Sequence, residues 1–115
     1  MPLTGIGYAY YQKKDYQKAL DYYQEALQVN SEYLLAVFRS GEAYFALDMN
    51  EKAIDSFTHT TAVAADFVEG HYRLGLAYMK ARQAKDAIDS FERVIRISPA
   101  SEQARNARSY LKILK

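Results

Sequence analysis

A chain of 115 residues, half of them hydrophobic and a quarter charged, has the balance of one ordinary globular domain, which excludes a disordered chain. Its formal net charge of +1 provides no strongly basic face for nucleic acid, and its lack of cysteine removes disulfides, zinc thiolates and thiol catalysis. No apolar run reaches membrane-spanning length, and the opening Met1-Pro2-Leu3 lacks a signal-peptide core, so no membrane is expected as a partner and the expected compartment is cytoplasmic.

The chain repeats itself every 34 residues. Ile6-Gly7, Tyr10, Ala19-Leu20 and Tyr23 return as Gly41, Tyr44, Ala53-Ile54 and Phe57, and again as Leu74-Gly75, Tyr78, Ala87-Ile88 and Phe91. A period of a few tens of residues is the mark of a stacked array, each unit one supersecondary motif.

The first unit, about residues 1–33, opens with a predicted helix that has no Ser, Thr, Asp or Asn before it as a cap. Either the chain is a piece of a longer array, which is the expectation, or this helix is short and frayed. Asp15 is placed to cap the second helix, whose face of Asp21, Gln24, Glu25 and Gln28 is solvated, and Asn30-Ser31 breaks it. Seven of the eleven tyrosines fall in this unit, with Tyr10, Tyr16 and Tyr23 expected to pack within and between hairpins.

In the second unit, about residues 34–67, the second helix runs through Phe57-Thr58-His59-Thr60-Thr61-Ala62-Val63. β-Branched residues lose rotamer freedom in a helix, so its end is left open and it is expected to be the least stable of the six hairpin helices. In the third unit, about residues 68–100, Tyr72, Gly75, Leu76 and Met79 share one side of the first helix. Ala84, Ala87, Ile88, Phe91 and Ile95 do so on the second, after a turn around Arg82-Gln83. Gly75 and Ala87 let the two backbones approach beside large aromatics. A last helix, about residues 101–114, has an apolar side of Ala104, Ala107, Tyr110, Leu111 and Leu114 and a basic side of Arg105, Arg108, Lys112 and Lys115, with start signals at Pro99 and Ser101. It reads as the cap a solenoid needs over its final hairpin; four cations without flanking Trp or Phe make a weak membrane helix.

The pattern Leu74-Gly75-x-x-Tyr78, Ala87, Phe91 and Pro99 at this period resembles the tetratricopeptide repeat, and the stretch Gly7 to Leu27 is similar to that family's consensus. The resemblance covers essentially the whole chain. It implies an all-α, right-handed superhelical solenoid of three antiparallel helix pairs plus the C-terminal capping helix. It also implies a concave groove, lined by the first helices, that binds segments of other proteins. On that basis the groove residues would be Thr4, Tyr8, Tyr11 and Gln12 from the first repeat, Leu35, Phe38, Arg39, Glu42 and Phe45 from the second, and Glu69, Tyr72, Arg73, Leu76 and Met79 from the third. One branch of the family holds a terminal carboxylate with Lys, Asn and Arg. Here the corresponding places read Thr4, Tyr8, Arg39, Glu69 and Arg73, so that clamp is not expected. The expected ligand is instead an extended or helical segment held between aromatics, with Arg39 and Arg73 fixing a carboxylate or a carbonyl.

Neither histidine sits in a catalytic or metal-binding constellation: His71 is expected to be half-buried and His59 solvated. Gly5-Ile6-Gly7 lacks the third glycine and the preceding strand of a dinucleotide motif. No enzyme, cofactor or metal is expected. Residues 1–67 carry five cations and nine anions, whereas residues 68–115 carry ten and five. Ends of opposite sign offer a second reading, self-assembly through head-to-tail contacts or membership of a longer array.

Overall fold

The computed structural model describes residues 2–30 and 33–115; Met1 and Ser31, the second residue of the expected Asn30-Ser31 break, lie outside them. Among the described residues seven helices follow one another: α1 (Leu3–Gln12), α2 (Tyr16–Val29), α3 (Leu34–Ala46), α4 (Asn50–Val63), α5 (Val68–Lys80), α6 (Ala84–Ile97) and α7 (Glu102–Leu114). The sequence period becomes a structural one. Leu34, Val68 and Glu102 each start a helix 34 residues apart, so α7 keeps the register of a first helix. The second helices end together at Val29, Val63 and Ile97, which closes the question of where α4 stops. Two of its three threonines bond back to the helix, Thr60 donating to the Ser56 carbonyl at 2.8 Å and Thr61 to that of Phe57 at 3.0 Å.

Local chemistry sets the boundaries. Asp15 caps α2 by accepting from the Lys18 amide, and Ser101 caps α7 by accepting from the Ala104 amide at 3.1 Å. Every hairpin turns through one left-handed residue, Lys14, Asp48 and Arg82, with φ of 67°, 62° and 62°. None is glycine, so each turn carries a backbone penalty of about 1–2 kcal/mol.

Within each hairpin a glycine meets an aromatic ring. A Cβ at Gly7, Gly41 or Gly75 would stand 2.6 Å from a carbon of Tyr23, Phe57 or Phe91 respectively, so all three hairpins close by the same contact. Ala19, Ala53 and Ala87 are fully buried at the matching place on the second helices, as are the three rings. Such contacts make the core a chain of small clusters, one for each hairpin and its neighbour. At the end, α7 buries Ala104 and Ala107 and leaves Arg105, Arg108, Lys112 and Lys115 exposed.

Curvature follows from which helices meet. Among the described residues α1 touches α3, α3 touches α5 and α5 touches α7, whereas α2, α4 and α6 do not touch one another. First helices therefore line the inside of the bend and second helices its outside, in a body of 42 × 24 × 21 Å.

Candidate functional site

Side chains turned inward from α1, α3, α5 and α7 make one polar line along the concave face. The Arg39 guanidinium lies 4.1 Å from the centre of the Tyr8 ring, which itself stacks on Tyr11 at 5.9 Å. Arg39 donates to Glu42 at 2.8 Å, and the other Glu42 oxygen faces Arg73 of the next repeat at 3.5 Å. Arg73 Nε donates to Glu69 at 2.9 Å, and Gln103 of α7 donates to the remaining Glu69 oxygen at 2.9 Å. Burial alone would lower both guanidinium pKa values. Hydrogen bonding and the charge of Glu42 outweigh it at Arg39, and the charge of Glu42 with the bond to Glu69 does so at Arg73, so both are raised and stay cationic.

Apolar and aromatic groups flank this line. Tyr8, Tyr11, Phe45, Tyr72, Leu76 and Met79 are partly exposed, and Gln12 and Leu35 are exposed. Burial raises the Tyr11 phenol, with the Glu42 charge adding to it; burial also raises that of Tyr72, whose hydroxyl region meets Tyr110 and Asn106 of α7. Lys80 stands at the edge, 4.1 Å from the Phe45 ring centre, donating to the Phe45 carbonyl and paired with Asp48 at 2.6 Å. Between the starts of α1 and α3, a cleft of about 270 Å³ is lined by Pro2, Thr4, Gly5, Tyr8, Tyr33, Leu35 and Arg39.

Three residues expected at the groove surface are instead part of the packed interior. Phe38 is 4% exposed, its ring 5.7 Å from Phe57 and 5.0 Å from Phe67, because Phe67, the residue just before α5, folds over it. Glu42 is also 4% exposed, closed in by the two arginines it bridges. Thr4 is buried as well, and its hydroxyl finds no partner. The expectation that Arg39 and Arg73 stand ready for a ligand carboxylate meets the same correction: the chain's own Glu42 and Glu69 already hold them. Gln103 was not foreseen, although it lies 34 residues after Glu69 and so in its register.

His71 is buried rather than half-buried, with Nε2 placed 2.8 Å from the Ala65 carbonyl; His59 is exposed on α4. No group of three His, Asp or Glu among the described residues could hold a metal ion, and no helix there is long and apolar enough to cross a membrane.

A family model described as tetratricopeptide repeat matches residues 2–33, and a second of the same description matches residues 68–101, together more than half of the chain. No curated protein sequence matches it. Among solved structures, the first TPR of Spaghetti (RPAP3) bound to the HSP90 peptide SRMEEVD is similar over 97% of this chain and 90% of its own, at 22% identity and a TM-score of 0.89. The second TPR domain of human RPAP3, in complex with the HSP70 peptide SGPTIEEVD, is similar over 96% of this chain and 92% of its own, at 20% identity and a TM-score of 0.88. The Sgt2 TPR domain from Aspergillus fumigatus is similar over 96% of this chain and 74% of its own, at 27% identity and a TM-score of 0.87. At 20–22% identity the RPAP3 likenesses establish the fold alone.

Proposed function

Because this chain belongs to the tetratricopeptide repeat family, we propose that it is a non-enzymatic interaction scaffold that receives a segment of a partner protein along its concave face. The observation that carries the reading is the inner surface itself. The first helices α1, α3 and α5 carry partly exposed aromatic and apolar side chains at the places turned to the inner face, and such groups are the usual anchors of a bound segment. Two of the similar structures hold peptides of HSP90 and HSP70, which supports a peptide or protein segment as the ligand class. Tyr8, Tyr11, Phe45, Tyr72, Leu76 and Met79 supply the apolar contacts, and the Arg39–Glu42–Arg73–Glu69 line fixes register. Phe38 supports this surface from beneath.

Affinity capture tests the proposal, comparing the wild-type chain with a Phe45→Ser, Met79→Ser variant whose helicity and melting are first matched by circular dichroism. Partners retained by the wild type and lost by the variant are expected. Equal capture by both sinks the groove reading. Self-association is the second reading, on the opposite charge of residues 1–67 and 68–115. Light scattering across a concentration series separates the two, since a scaffold that acts alone keeps one size.

A further inference from the structure

Glu42 is a feature of the groove that the repeat itself does not explain. At its register the first repeat has Tyr8, the third has Leu76 and α7 has Tyr110, so three of the four first helices place an apolar or aromatic side chain there. In α3 the place holds a carboxylate that is nearly sealed from solvent, its side chain 5% exposed. A buried carboxylate is costly unless charged donors meet both oxygens. Here Arg39 and Arg73, one repeat apart and themselves 26% and 30% exposed, take one oxygen each. Glu69 takes the remaining reach of Arg73, so two guanidinium groups face two carboxylates and the line is neutral.

We propose that Glu42 is a specificity-determining residue: it occupies, from within the chain, the anion position between Arg39 and Arg73, so that the groove rejects acid-tailed peptides and selects an uncharged apolar segment. The proposal rests on the groove reading above and narrows its ligand class. An incoming carboxylate would have to compete with Glu42 for the arginines, and displacing it would leave the Glu42 carboxylate buried and unpaired. It would also meet the charge of Glu69. A neutral segment pays neither cost and can use the flanking rings. Selection by a built-in repulsive element is a common means of discriminating between related ligands.

The test is fluorescence anisotropy with the labelled acidic peptide SRMEEVD and with a carboxylate-free counterpart in which the arginine is replaced by glutamine, the two glutamates and aspartate by their amides, and the C-terminus is amidated, so that its side chains and C-terminus carry no charge. The proteins are wild type, Glu42→Gln and Glu42→Leu, each checked by thermal melting. The glutamine variant keeps an oxygen for Arg39. The leucine variant installs the side chain that the third repeat already carries at this register, so the set does not depend on one substitution folding. Wild type is expected not to saturate with the acidic peptide at millimolar concentration. Both variants should bind it at least about tenfold more tightly, the scale of a charge-assisted pair regained. That gain should vanish when Arg73→Ala is added and should fall with salt. Wild-type binding of the acidic peptide that is lost on Arg73→Ala would overturn the proposal while upholding the groove as a binding site. Folded variants that gain nothing would overturn it too, and would leave the groove reading to the capture experiment.

Discussion

Replacing Tyr23 by phenylalanine should make the protein more stable. Its side chain is fully buried, and its hydroxyl finds no hydrogen-bond partner. The same place in the next two repeats is occupied by Phe57 and Phe91, equally buried and each set against its own glycine, so the site accepts phenylalanine without rearrangement. An unsatisfied buried hydroxyl costs about 1–3 kcal/mol, and its removal forfeits a few dispersion contacts, leaving a net gain of about 1 kcal/mol. In a domain of this size that is a rise of about 4 °C in melting temperature. The substitution also carries a pH signature. Burial pushes the Tyr23 phenol far above its ordinary value of about 10. The folded pKa is therefore raised above the unfolded one. The stability this group contributes is fully present below about pH 10 and is lost as pH rises towards the folded value, because the unfolded chain releases the proton first. Circular dichroism melts at pH 7 and pH 10.5 read both effects: the variant should lead at neutral pH and lead by more at pH 10.5. A variant less stable than wild type at pH 7, or a gap that does not widen with alkali, would show that the hydroxyl is held by a partner and that the orphan argument is wrong.

Gly75→Ala should destabilise by about 1–3 kcal/mol in urea unfolding, because the new methyl would stand 2.6 Å from the Phe91 ring and the hairpin must open to admit it. Arg82→Gly should instead stabilise by about 0.5–1 kcal/mol, since relief of the left-handed conformation at φ 62° outweighs the extra entropy of the unfolded chain; a loss of stability would mean the arginine side chain makes contacts of greater worth.

The fold was legible because it is written three times. A glycine, an alanine and an aromatic at fixed offsets specify one close contact between two helices, and the polar caps Asp15 and Ser101 act within three residues of themselves. Such information is local or periodic. The groove was legible only in outline, since helical register tells which side a residue faces but not how deep it lies. Phe38 and Tyr72 share a register, yet Phe38 is covered by Phe67, whereas Tyr72 keeps part of its ring open to solvent beside Tyr110. Glu42 and Arg73 come from different repeats, so no spacing within either one could announce their pairing. His71 went deeper than expected for a similar reason: its partner is the Ala65 carbonyl in the preceding turn.

The separation of the outer helices has a mechanical consequence. With α2, α4 and α6 out of mutual contact, adjoining hairpins are held by their inner helices and by the packing of each second helix on the first helix that follows. Compression along the axis is resisted at the inner edge, while the outer edge offers no direct contact to break. The softest deformation is therefore a change of bend, summed over successive hairpins, and it alters the width of the channel without unpacking any glycine–aromatic contact. On the proposed groove reading, a segment too broad for the resting channel would be admitted at the cost of flattening the arc, and the molecule's length would then report occupancy.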